Sequence, residues 1–289
     1  AYREDEFEEV LESCEHLVFN SFSQLERFGE RAAKAGKSVG IRVNPECSTQ
    51  GEHAIYDPCA PGSRLGILVS EFPETLPSYV EGLHFHTLCE QNADALEITL
   101  KAVEEKFGKW MKQLKWVNFG GGHHITRADY DRELLISCVR RIQDTYNVQV
   151  YLEPGEAVAL NAGHLITTVE DIVHNDIAVL DVSAACHMPD VIEMPYRPPL
   201  FDSGEAKEKE YTYLLGGPTC LAGDVIGSYS FDQPLKVGDR LTFGDMAIYT
   251  TVKNNTFNGM RLPDIVWERE SGECEIVKSF GYEDFKCRL

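Results

Sequence analysis

VNFGGGHHIT, residues 117–126, is an apolar run that stops on three consecutive glycines and then two histidines. A tight turn needs one glycine. Three in a row imply that something comes close to the backbone itself, where a side chain would be in the way. Successive backbone N–H groups in such a loop also suit an anion.

The runs on either side set the architecture. LVFN (17–20) leads into an amphipathic stretch that Ser21 or Ser23 can cap and Gly36 can stop. SVGIRVN (38–44), GLHFH (82–86) with the helical stretch 92–115, WVNF (116–119) with a helix over 129–145, and VQVYLEP (148–154) follow. Strand and helix in alternation predict a parallel sheet covered on both faces. An open dinucleotide-binding sheet carries its glycine loop, spaced GxGxxG, after the first strand. Here the glycines follow the fourth of five strands. A TIM-like (β/α)8 barrel places phosphates after strands 7 and 8. Counting the last strand as the eighth therefore gives an α/β barrel whose N-terminal strands are absent from this chain. AYREDEFEEVLESCEH, which starts without Met and reads as a helix already under way, agrees with that count. After residue 160 the pattern changes. TTVEDIVHNDIAVLDVS, KEYTYLLGGPTCLAGDVIGSY and RLTFGDMAIYTTV are β-rich with Gly and Asp turns. The expected organisation is a partial barrel over 1–160 and a C-terminal antiparallel β domain over 161–289.

The 289 residues carry a net charge of −20. That disfavours nucleic acid and anionic membrane as partners and suits a cationic small molecule. No apolar run approaches the roughly 20 residues of a membrane span, and no secretory signal is present. The nine cysteines include no CxxC pair, which fits a reduced, cytoplasmic protein without zinc knuckles.

Active sites of βα barrels lie at the carboxyl ends of the strands. There the sequence offers Arg42, His84, His86, Gly120 to Gly122, His123, His124, Glu153 and Glu156. His84 and His86, two apart, are expected on one face of their strand. A carboxylate at Glu153 calls for a cation or a proton-bearing nitrogen. Two chemistries fit. The glycines can hold a phosphate while His86 lies against a flat ring and Glu153 holds a proton on its nitrogen. Alternatively, the histidines and Glu153 bind a metal, as in barrel hydrolases. Three glycines serve the first reading and have no use in the second. A catalytically dead regulatory homologue is a third reading.

FHTLC (85–89), NFGGG (118–122), EPGE (153–156), GGPTC (216–220) and DMAIYTTVKNNTFNG (245–259) resemble, in order, the motifs of the fold-type III pyridoxal phosphate decarboxylases. That family includes enzymes acting on ornithine, arginine and diaminopimelate. EPGEA and CHMPDVIEMPYRPPL (186–200) are most similar to the branch acting on carboxynorspermidine, and on carboxyspermidine, in polyamine synthesis. The resemblance implies pyridoxal 5'-phosphate as cofactor, with Arg42, His86, Gly120, Gly121, Gly122, Glu153, Gly155 and Tyr249 around it. It gives His86 the ring stack, Glu153 the pyridine nitrogen, and Cys220 the proton delivered to the substrate. In the family that cysteine reaches across a homodimer with shared sites. Glu156, Asp190, Glu193 and Asp224 become candidates for the cationic tail of a polyamine-type substrate. Some positions depart from the family pattern. Cys89 replaces a phosphate-binding Ser, Glu156 replaces an Arg, and Leu221 replaces the Asp of ornithine-type enzymes. The lysine that carries the cofactor is expected upstream of Ala1, and none here has its context. Arg197, before Pro198-Pro199, has no assigned role.

Overall fold

The structure is a computed structural model that describes residues 1–51, 54–174 and 176–289. It divides into two units, Ala1–Val158 and Ala159–Leu289. Among the described residues no helix is long and apolar enough to cross a membrane.

The first unit runs α1 (Phe7–Ser13), β1 (His16–Phe19), α2 (Phe22–Lys34), β2 (Ser38–Arg42), β3 (Val80–His84), α3 (Ala93–Met111), β4 (Trp116–Asn118), α4 (Arg132–Tyr146) and β5 (Gln149–Tyr151), and then turns into α5 (Gly155–Ala159). The strands form one parallel sheet in chain order. Local chemistry sets the helix ends. Ser21 caps α2 by accepting from Gln24 N–H at 3.2 Å, and Asp131 caps α4 by accepting from Leu134 N–H at 2.9 Å. The Asp131 cap explains why α4 starts at Arg132 and not at Asp129. The chain does not open inside a helix, as the sequence suggested. Tyr2 N–H donates to Gln24 Oε1 at 2.7 Å and its ring meets Phe7 and Phe19 edge-on, so the residues before α1 lie against neighbouring side chains.

Alternation along the strands gives the sheet two kinds of face. Phe19, Ile41, Leu83, Val117 and Val150 join the helices in one buried core. On the other face, Gly40, Gly82 and Trp116 are register neighbours. The Trp116 indole lies over both glycines. A Cβ on Gly82 would come within 1.9 Å of it, and one on Gly40 within 2.3 Å. Trp116 Nε1 donates to Ser38 Oγ at 2.8 Å, which fixes the ring. Two residues further along, at the carboxyl ends, Arg42, His84 and Asn118 form the next rung on that face.

The second unit runs β6 (Leu165–Val173), β7 (Ile177–Leu180), α6 (Ala184–His187), α7 (Asp190–Glu193), β8 (Tyr211–Gly216), β9 (Val225–Phe231), β10 (Arg240–Phe243), α8 (Tyr249–Val252), β11 (Ile265–Glu268), β12 (Cys274–Lys278) and α9 (Tyr282–Lys286). Asn175, inside a stretch expected to be strand, lies outside the described residues. One sheet has the order β10-β6-β7-β8-β9, and β11 and β12 form a separate hairpin. The sheet is not wholly antiparallel as expected, because β7 and β8 pair in parallel. The chain between them carries α6 and α7, and so is long enough to cross over and re-enter in the same direction.

Candidate active site

The glycine loop shows what needs the missing side chains. Gly120 and Gly122 have φ of +72° and +78°. A Cβ on Gly120 would lie 2.5 Å from Phe85 O, one on Gly122 2.2 Å from Leu88 O, and one on Gly121 2.8 Å from Glu153 O. What comes close to the backbone is the chain's own 85–89 segment and the turn at Glu153. Two of the three N–H groups are also engaged, Gly120 with Asn118 Oδ1 at 2.8 Å and Gly121 with His86 Nδ1 at 3.3 Å. The glycines are therefore required for packing, quite apart from any anion.

β3 ends at His84, so the two histidines do not share a strand face. His84 is buried at the end of the strand. His86 lies past it, half-buried against the glycine loop. Burial holds the His86 imidazole below its ordinary pKa, and the neighbouring Arg42 and His84 act in the same direction. With Nδ1 accepting from Gly121, its proton is assigned to Nε2.

Glu153 is the most strongly perturbed acid here. Its Oε2 lies 3.4 Å from His84 Nε2, and its Oε1 accepts from Asn118 Nδ2 at 2.8 Å. These partners hold its pKa down to about 2 against the opposing effect of partial burial. The carboxylate is thus an anion held in place from behind, with about half its surface (49%) open. Arg42 adds a partly buried guanidinium whose Nε has no hydrogen-bond partner. A fixed anion, an uncharged flat ring and an underused guanidinium at one strand-end cluster fit a phosphate-bearing heteroaromatic cation. Asn118 was not singled out in the sequence. It carries both Glu153 and Gly120, and its signal was its place two residues before the first glycine.

His84, His86 and Glu153 do not converge as a metal set. The His, Cys, Asp and Glu ligand atoms that gather within 4.8 Å among the described residues are those of Glu90, His124 and Glu156. Glu156 lies 3.3 Å from His124 Nε2. Gly155 opens α5, its N–H donating to Glu153 O at 2.8 Å. Burial pushes the Cys89 thiol up to about 11, so it stands by the loop as a neutral S–H group.

His123 is 1% exposed, directly after the glycines. Burial pushes it from its ordinary 6.5 down to about 4, opposed by the carbonyls of Phe119 and Gly120. Its neutral form is favoured in the fold, so the unfolded chain takes up the proton first as pH falls below 6.5. Its stabilising contribution is complete above 6.5 and is lost on the way down to about 4, at a cost of up to about 3 kcal/mol. His86 and His187 are shifted in the same direction. Denaturant unfolding across this window should show stability falling with pH, with a shallower slope in His123→Gln. Equal slopes would contradict the assignment.

In the second unit, Cys220 is exposed and its N–H donates to Asn258 Oδ1 at 3.1 Å, so the FNG turn anchors the cysteine loop. Tyr249 opens α8 with its ring exposed. Asp224 differs from its expected role on the substrate side. It is buried and accepts from Ser183 Oγ at 2.9 Å, Ala185 N at 3.2 Å, and Thr219 Oγ1 at 2.7 Å and N at 3.2 Å. Those bonds fill its acceptor sites and tie two loops together, which leaves Asp224 a structural role. Asp190 and Glu193 both face Lys253. Arg197 stacks over Tyr229 at 4.5 Å and pairs with Glu205, pinning the segment after α7 to β9.

Comparison with known proteins places the chain. The family model for the pyridoxal-dependent decarboxylase C-terminal sheet domain matches residues 17–247. The carboxynorspermidine/carboxyspermidine decarboxylase of Campylobacter jejuni is 47% identical over 100% of this chain and 78% of its own length. The carboxyaminopropylagmatine decarboxylase of Synechocystis is 42% identical over 100% of this chain and 75% of its own. The crystal structure of the Campylobacter jejuni carboxynorspermidine decarboxylase complexed with norspermidine superposes with a TM-score of 0.90, at 46% identity, covering 100% of this chain and 79% of that one. Diaminopimelate decarboxylase from Helicobacter pylori, 15% identical, shares the fold at a TM-score of 0.75 over 94% of this chain and 72% of that one. The chain belongs to the pyridoxal-dependent decarboxylase family.

Proposed function

We propose that the chain decarboxylates carboxynorspermidine and carboxyspermidine, with pyridoxal phosphate as cofactor, to form norspermidine and spermidine. The observation that carries the substrate is the 47% identity to the Campylobacter jejuni enzyme of that name. The chemistry is supported by Glu153, an anion held from behind by Asn118 and His84. The five parallel strands are read as part of a (β/α)8 barrel, with the β unit beginning after about residue 160. When bound, pyridoxal phosphate supplies the electron sink for the pair left behind as carbon dioxide departs. With the cofactor bound, Glu153 would keep a proton on the ring nitrogen and His86 would lie against the ring. Gly120 to Gly122, with Gly155 and Arg42, would hold the phosphate and its surroundings, and Tyr249 is the residue of the second unit that the family resemblance assigns to the phosphate. Cys220 Sγ hands a proton to the substrate α-carbon from the second subunit of a two-fold dimer, so that each subunit completes its partner's site. Asp190 and Glu193 take the tail amines through charge-assisted hydrogen bonds, and Glu156 is a further acidic candidate for the substrate. The reaction is assigned to the cytoplasm.

The test is turnover on a panel of carboxynorspermidine, carboxyspermidine, carboxyaminopropylagmatine, ornithine and diaminopimelate. The first two should exceed ornithine and diaminopimelate in kcat/KM by about a hundredfold or more, since short substrates leave polar tail contacts unmade. Ornithine turned over as efficiently would overturn the reading. Highest efficiency on carboxyaminopropylagmatine would move the assignment to the activity of the Synechocystis relative.

A further inference from the structure

Asp190 and Glu193 are three residues apart on α7, a spacing that turns both carboxylates to one side. The Lys253 ammonium lies between them. Its Nζ donates to Asp190 Oδ1 at 2.5 Å and to Glu193 Oε2 at 3.2 Å. Lys253 directly follows α8, and the same Nζ sits 5.3 Å from the ring centroid of Tyr249, the first residue of that helix. An alkylammonium is therefore already held here by two carboxylates and an aromatic face, the chemistry that an amine of a polyamine would meet.

The cluster is open unevenly. The Glu193 side chain is 54% exposed, Lys253 35% and Asp190 20%. An incoming cation can reach Glu193 from solvent without unfolding anything. Ion pairs this exposed are weak, and a flexible four-carbon stem lets the ammonium leave.

We propose that Lys253 is a resident cation of the amine subsite, holding Asp190 and Glu193 in register in the free enzyme and yielding them to a tail ammonium of the substrate. Binding is then an exchange of one alkylammonium for another, with no covalent step. The subsite is never left with two unpaired carboxylates, whose mutual repulsion would otherwise distort α7. The internal lysine also sets a threshold that a weakly held cation does not pass. This inference rests on the reading of Asp190 and Glu193 as tail contacts.

Calorimetric titration of norspermidine into the holoenzyme tests it. Lys253→Met removes the competitor and should tighten norspermidine binding by about three- to tenfold, the factor set by loss of an exposed ion pair. Lys253→Arg, with a planar fork that grips carboxylates more firmly, should weaken it. Lys236→Met makes the same change in net charge at an exposed site and should leave affinity at the parent value. Unchanged or weaker binding in Lys253→Met overturns the proposal, as does tighter binding in Lys253→Arg should Lys253→Met not fold. Turnover of carboxynorspermidine by the unaltered enzyme separates the two levels. Without turnover the functional reading itself fails. With turnover but no gain in Lys253→Met, only the exchange fails.

Discussion

Glu153→Gln is expected to lower kcat for decarboxylation by about a thousandfold or more, on the scale of removing a preorganised electrostatic partner from a reaction centre. The replacement keeps the shape of the side chain. A Gln oxygen still accepts from Asn118 Nδ2, which now lies 2.8 Å from Glu153 Oε1, so the turn after β5 keeps its anchor. What disappears is the negative charge, which in the parent is stable far below neutral pH because His84 and Asn118 hold the carboxyl at about 2. On the proposed reading, nothing at this position would then favour a proton on the ring nitrogen of the bound cofactor. The groups assigned to the phosphate are untouched, so cofactor content should fall much less than kcat. Steady-state rates together with released cofactor, measured after denaturation, check both halves. Near-normal turnover would remove Glu153 from the chemistry.

Gly82→Ala should destabilise the first unit by about 3 kcal/mol or more, at the upper end of overpacking effects. A methyl group there meets the Trp116 indole at 1.9 Å, and the ring cannot retreat because Nε1 is bonded to Ser38 Oγ and His16 packs on its edge at 5.5 Å. Gly223, where a Cβ would meet nothing within 4 Å, is the control and should change little on Gly→Ala. The double change Gly82→Ala with Trp116→Leu should recover part of the loss relative to the sum of the single variants, because the two residues share one space. Strict additivity in urea unfolding would contradict the contact.

Parts of this were legible in the residues alone. The parallel pairing of the five strands followed from strand and helix in alternation, while β1 and β5, at the edges of the sheet, alternate buried with exposed residues instead of being covered on both faces. Ser21, Gly36 and the glycine loop were found because caps and positive φ leave residue-type marks. The reason for three glycines was only partly visible. The 85–89 segment that crowds them is distant in sequence, and no local pattern reports a close approach between loops. The inner rung of Gly40, Gly82 and Trp116 depends on strand register for the same reason. Asp224 was misplaced because its motif could be recognised while its burial could not. Ser183 and Ala185, which satisfy it, lie some forty residues earlier. The parallel pairing of β7 with β8 escaped because their strand-like composition is neutral to direction, and only the crossover between them decides it.

The nitrogen-15 chemical shift of ring-labelled pyridoxal phosphate bound to the holoenzyme tests the role of Glu153 most directly. A protonated ring nitrogen in the parent at neutral pH, and an unprotonated one in Glu153→Gln, is the predicted result. An unprotonated nitrogen in the parent, or the same shift in both proteins, would contradict it.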